Sequence, residues 1–147
     1  VIDLPLGAAL SPAPSVIDRD VHTTPKGAMV VDDDRFQADL VTGLLKEFGW
    51  DAVCFYDPLE ALSVFKVAPS AFGLIITDRR MPQMSGDDLV PQLLEIQPDI
   101  PIILSSGALA SPLPAGLAGT LPKPVSRETL WATLDYIGLK APLESQD

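Results

Sequence analysis

Ala28-Met29-Val30-Val31 is a short apolar run that breaks into Asp32-Asp33-Asp34. Such a run, without alternation, predicts a strand buried on both faces of a parallel sheet and ending in a polar loop. Phe36, Leu40, Leu44, Leu45 and Phe48 follow at helical spacing, which predicts a helix with these residues on its inner face. Gly49 stands where a helix ends in a left-handed residue. Ala52 to Phe55 reads as a second strand, and Asp57-Pro58 as the cap and first position of a second helix carrying Ala61, Leu62 and Phe65 inward.

The alternation continues. Phe72 to Thr77 predicts a third strand ending at Asp78, and Ser85 caps a helix through Leu89, Leu93, Leu94 and Ile96 that Pro91 should bend or delay. Ile100 to Leu104 predicts a fourth strand ending in Ser105-Ser106-Gly107, and Gly119 to Leu121 a fifth ending in Pro122-Lys123-Pro124. A last helix starts near Ser126, with Leu130, Leu134 and Ile137 inward. Strands alternating with helices imply right-handed crossovers and a parallel sheet covered on both faces. The fold class is therefore α/β, a doubly wound five-stranded parallel sheet.

Residues 1–26 differ in kind. Val1 to Leu6 reads as the end of a strand, and Gly7 to Lys26, with Pro12, Pro14 and Pro25, has a linker composition. The expected organisation is a linker or the end of a preceding domain over 1–26, one domain over 27–138 and a polar tail over 139–147. The absence of Met at Val1 and of a signal-peptide pattern leads us to expect a segment of a longer, cytoplasmic polypeptide.

Composition narrows the function. A formal net charge of −10 argues against a nucleic-acid surface, which needs clustered Lys and Arg, and against docking on anionic lipid. Cys54 is the only cysteine, so an internal disulfide is excluded, and no apolar run is long enough for a membrane span. His22 lies in the linker without a phosphoacceptor-like helix around it. Cys54, Trp50, Trp131 and the phenylalanines are assigned to packing.

The chemistry gathers at strand ends. Open parallel sheets bind ligands beyond the carboxyl ends of their strands, and those ends carry Asp32 and Asp33, Asp78, Ser106 and Lys123. Any one of these is an ordinary polar turn residue, whereas four loops delivering them to one edge make a site. Two carboxylates about 4 Å apart repel by roughly 4 kcal/mol at an effective dielectric near 20, so an acid cluster needs a proton or a cation. An all-oxygen donor set without His or Cys favours a hard ion, Mg²⁺ above all. Asp34 reads as a helix cap.

Val30-Val31-Asp32-Asp33, Thr77-Asp78-Arg79-Arg80-Met81-Pro82, Leu104-Ser105-Ser106-Gly107 and Lys123-Pro124 together resemble the signature of two-component receiver domains, in the family's order across residues 27–138. The resemblance implies strand order 2-1-3-4-5. It implies Mg²⁺ held by Asp33 and Asp78, with Asp32 assisting through water and Arg80 lending its backbone carbonyl. Asp78 would be the nucleophile that takes a phosphoryl group from a phosphohistidine of a histidine kinase or histidine phosphotransfer partner. Lys123 and Ser106 would serve the phosphoryl oxygens. The isolated domain would be no enzyme beyond catalysing its own phosphorylation and dephosphorylation.

Two features depart from the pattern. Only 17 positions separate Ser106 from Lys123, about a turn and a half of helix fewer than receivers usually have, and Pro112, Pro114 and Gly116 fall within them. A shortened or irregular fourth helix is expected. Thr120 stands where many receivers carry a mobile aromatic ring, so signalling contacts are expected at the first or last helix instead. The leading expectation is the C-terminal receiver of a hybrid sensor histidine kinase. A stand-alone response regulator is the alternative. A metal-dependent phosphohydrolase on a similar fold is the reading from another class, disfavoured because Arg80 stands where such enzymes place a second Asp.

Overall fold

The structure is a computed structural model and describes residues 27–139; the expected strand at Val1 to Leu6, the linker, His22 and nearly all of the tail lie outside the described residues. Five strands, β1 (Gly27–Val31), β2 (Asp51–Phe55), β3 (Phe72–Asp78), β4 (Ile102–Ser106) and β5 (Gly119–Pro122), alternate with α1 (Arg35–Glu47), α2 (Pro58–Val67), α3 (Gly86–Ile96) and, after β5, α4 (Arg127–Tyr136). All pairings are parallel and the order is β2-β1-β3-β4-β5. This is the flavodoxin-like order expected from the sequence.

Side chains alternate across each strand, so the sheet divides two apolar layers. Ala28, Val30, Leu74, Ile76, Ile103 and Leu121 pack under α1 and α4, against Leu44, Leu45, Leu130 and Leu134. Met29, Val31, Ile75, Ile102 and Leu104 pack under α2 and α3, against Leu62, Phe65, Leu89 and Leu93. None of the described helices is long and apolar enough to cross a membrane.

Local chemistry sets the helix ends. Asp34 accepts from the backbone N–H of Phe36 and Gln37, Asp57 from Leu59, Ser85 from Asp88, and Ser126 and Thr129 form a reciprocal capping box. Gly49 adopts φ 100°, as the α1 terminus demands.

Two expectations change, for Phe36 and Pro91, and two are sharpened. Phe36 is 74% exposed rather than inward, because the packed face of α1 is centred on Ala38, Val41 and Leu45 and Phe36 falls on the opposite side of the helix. Trp131, assigned to packing, is 37% exposed and covers Phe48 edge-on at the boundary of the core. Pro91 does not delay α3, which begins at Gly86, directly after its cap. The irregularity expected of the fourth helix is complete: residues 107–118, between β4 and β5, contain no helix, since two prolines and a glycine remove donors and backbone stiffness from an already short segment.

Phe65 is fully buried between α2 and the sheet and touches the ring of Phe72. Phe65→Ala should cost about 3–5 kcal/mol, whereas Phe36→Ala should stay within about 0.5 kcal/mol of the parent. Urea denaturation of both variants checks the pair.

Candidate functional site

β1 and β3 are neighbours in register, with Val31 opposite Thr77, so Asp32 and Asp78 leave the sheet side by side. The acids are nearly enclosed, at 5% and 8% exposure, while Asp33, next along the loop, faces solvent. Carboxylate oxygens of Asp32, Asp33 and Asp78 all lie within 4.8 Å of one another.

Asp32 is held by its surroundings. Its Oδ1 accepts the backbone N–H of Asp34 at 2.9 Å, and its own N–H donates to the Phe55 carbonyl at 3.0 Å. Lys123 enters from the end of β5, and its Nζ stands 3.1 Å from Asp32 Oδ2 and 3.0 Å from Asp78 Oδ1. One ammonium thus bridges the two buried acids. Burial, the largest influence, pushes the Asp32 carboxyl above the usual carboxylate range, and the charge of Asp78 pushes it further, against the pull of the Asp34 N–H and of Lys123. Burial pulls the Lys123 ammonium the other way, but its bonds and charge contacts with Asp78 and Asp32 outweigh it and hold the amine above its ordinary value.

Ser106 ends β4, buried, and its Oγ accepts the Ala108 N–H at 2.9 Å. Its carbonyl accepts the Lys123 N–H at 3.1 Å, tying β4 to β5 at the level of the site. Asp78, Arg80, Ser106, Gly107, Ala108 and Lys123 line one open depression of about 270 Å³. The six residues singled out from the sequence, Asp32, Asp33, Asp78, Arg80, Ser106 and Lys123, therefore meet at one edge of the sheet. Arg80 reaches the rim with an exposed side chain.

Two further residues belong to this edge. Gly86 donates its N–H to the Arg79 carbonyl at 2.7 Å, and a Cβ there would stand 2.4 Å from the Asp78 carbonyl oxygen; only glycine lets α3 start this close to β3. Arg79 is 8% exposed and hydrogen-bonded to Asp87 and to the loop after β4. Nothing in the local pattern marks a buried arginine, although Asp87 in the first turn of the next helix is a visible partner for one.

The family model for the response regulator receiver domain matches residues 28–135. The chain belongs to the receiver domain family. It is 36% identical over 108 residues to the response regulator protein TodT of Pseudomonas putida, a match that takes in 69% of this chain and 46% of TodT. It is 33% identical over 100 residues to a putative two-component response regulator of Arabidopsis thaliana, of which it covers 16%. The chain thus spans less than half the length of these relatives. Among solved structures, the chemotaxis response regulator CheY4 of Vibrio cholerae superposes with a TM-score of 0.68 at 29% identity, over 78% of this chain and 99% of that one. The receiver domain of the hybrid histidine kinase CckA shares the fold with a TM-score of 0.66 at 23% identity, over 76% and 97% of the two chains.

The donor set of the receiver domain fits a hard cation: three carboxylates converge, no His or Cys joins them, and a single ammonium offsets only part of their charge. In a chelator, the buried acid pair carries a pH signature. A raised Asp32 carboxyl means that the native state binds this proton more tightly than the unfolded chain. The resulting stability is fully present below the ordinary value of 3.8 and is lost as pH rises through the higher folded value. Without metal at pH 7, Asp32→Asn should therefore be more stable than the parent by about 1 kcal/mol. That advantage should fade as the pH falls toward 3.8. Thermal melts of both proteins in a chelator, from pH 7 down to pH of about 4, test the sign.

Proposed function

We propose that this receiver domain is the phosphoacceptor of a two-component phosphorelay, with Asp78 as the residue modified. The observation that carries the reading is the Asp32–Lys123–Asp78 bridge: a buried carboxylate already set against an ammonium, at the open end of a parallel sheet. The donor is the phosphohistidine of a histidine kinase or a histidine phosphotransfer protein.

A carboxylate oxygen of Asp78 attacks phosphorus, the O–P bond forms and the P–N bond breaks. The nitrogen lone pair returns to the imidazole, which takes up a proton from solvent. Charge builds on the three equatorial oxygens during the transfer. Lys123 answers it by turning its ammonium from Asp78 Oδ1 toward those oxygens, while Asp32 keeps hold of its other side. Ser106 donates its hydroxyl proton to one of them, since its oxygen is already engaged as an acceptor by Ala108 and its O–H is free to turn. Asp33, Asp78, the Arg80 carbonyl and, through water, Asp32 would hold Mg²⁺, which supplies neutralisation of the transferring group when bound. Burial of Asp78 limits water at the acyl phosphate and so its loss by hydrolysis. The domain's own chemistry extends no further than gaining and losing this group.

The composition of residues 7–26 supports a tether to another unit, as in a hybrid sensor histidine kinase within the cytoplasm. A response regulator, the word carried by the name TodT, is the second arrangement, and the same site serves both. A metal-dependent phosphohydrolase is disfavoured by Arg80, whose side chain points its charge, not a second carboxylate, at the rim.

With Mg²⁺ and acetyl phosphate, intact mass should rise by one phosphoryl group, and Asp78→Asn should abolish the gain. Lys123→Ala should slow it by on the order of a hundredfold. An Asp78→Asn protein that still takes the group at the same site would overturn the assignment.

A further inference from the structure

Arg79 follows the phosphoacceptor position directly, yet its side chain turns away from the acids and into the molecule, at 9% exposure. Its Nε donates to Asp87 Oδ1 at 2.8 Å and its Nη2 to Asp87 Oδ2 at 3.0 Å, the parallel fork that arginine alone can make with a carboxylate. Its Nη1 donates to the Ala108 carbonyl at 2.9 Å, and its Nη2 also reaches the Pro112 carbonyl. One guanidinium therefore ties the first turn of α3 to two points of the loop that replaces the fourth helix.

Ala108 is the hinge of this arrangement. Its carbonyl is held by Arg79, and its N–H is held by Ser106 Oγ at 2.9 Å. The position of Ala108 thereby sets where the Ser106 oxygen sits and which way its remaining proton can turn. In this loop no helical hydrogen-bond ladder does that work. The Arg79 backbone adds a second tie to the same strand, donating its N–H to the Ser105 carbonyl at 3.0 Å.

We propose that Arg79 is a positioning residue for Ser106. Braced by Asp87, it holds the Ala108 peptide so that the Ser106 hydroxyl is aimed at the phosphoryl oxygens on Asp78, and it passes any displacement of Ser106 to the 107–118 loop and to α3. The inference rests on the phosphoacceptor reading, and a merely structural arginine would be equally buried, so the test must separate the two.

The separation comes from a double-mutant cycle on the full chain. The rate at which the Asp78 phosphoryl group is lost is measured in the parent, Arg79→Gln, Ser106→Ala and the double variant. An arginine that acts through Ser106 changes the rate by about fivefold or more in the parent background and by less than about twofold once Ser106 is gone. Arg79→Lys, which keeps the charge and loses the fork, should behave like Arg79→Gln. Asp87→Asn should move the rate in the same direction, and it carries the cycle if the arginine variants fail to fold. Equal fold-changes in both Ser106 backgrounds overturn the proposal.

A second measurement needs no phosphorylation. In the unmodified protein, the Ala108 amide should exchange about tenfold faster in Arg79→Gln, with Val30 and Ile76 in the central strands unchanged. Unchanged exchange at Ala108 also overturns the proposal. A parent protein that takes no phosphoryl group would instead sink the phosphoacceptor reading, and the exchange result would still decide whether Arg79 holds the Ser106 loop.

Discussion

Two buried carboxylates stand side by side because two neighbouring parallel strands end at the same edge, and the rest of the site follows from what that costs. At about 4 Å and an effective dielectric near 20, the repulsion is roughly 4 kcal/mol, a large share of a small domain's stability. Lys123 answers it at 3.0 and 3.1 Å. β5 lies two strands away from β3, about 9.5 Å at the usual strand spacing, so only a long flexible cation at its end can span the gap. The strand order and the register that sets Pro122 opposite Ser106 place Lys123 one residue beyond β5 at the level of the acids. A short acidic turn, a long strand-end cation and a 2-1-3-4-5 sheet are thus one device. Asp33, outside the bridge and exposed, is the carboxylate free to meet an incoming cation or partner.

Much of this could be read from residues alone, because it depends on chemistry local to the chain. Asp34, Asp57, Ser85 and Ser126 cap the helices they precede, and continuous apolar runs ending in polar residues locate every strand to within two residues. The failures share a different cause. Helical spacing groups Phe36 with Leu40 and Leu44, but spacing cannot tell which of two apolar stripes the sheet will cover, and the packed face is centred on Ala38, Val41 and Leu45. Pro91 removes a single intrahelical donor, whereas the Ser85 cap and the close approach of Gly86 to β3 determine where α3 starts. Arg79 was invisible for the same reason: two of its three partner residues lie in a loop 29 and 33 positions away.

That loop shows how a lost element is replaced. A helix between β4 and β5 would satisfy its own backbone and bury an apolar stripe beside α3. Residues 107–118 do neither as a helix, and a guanidinium donates to two of their carbonyls instead. Charge-assisted bonds are individually stronger than neutral ones, but they act at two points rather than along a stripe. The segment should therefore be firm at Ala108 and Pro112 and looser elsewhere, with Leu113, just past the second fixed point, left 43% exposed. Thr120, half-buried on β5, has no ring with which to couple this segment to the site.

On the proposed reading, any response to modification of Asp78 travels by these connections. Ser106 is joined to its surroundings by two routes of different kind. Through its carbonyl it holds the Lys123 N–H, and so the peptide that leads into α4, on the sheet face shared with α1. Through its hydroxyl it holds Ala108, and beyond it Arg79 and Asp87 at the start of α3, on the opposite face shared with α2. A modification shifts a conformational equilibrium only through contacts that differ between its two states. A small movement of Ser106 alters both sets at once, because packed layers on either side of a sheet respond as units rather than by gradual deformation. The first route is a backbone connection that any side chain at position 106 would preserve. The second exists only through the hydroxyl and the guanidinium, so it is the one that side-chain chemistry can tune.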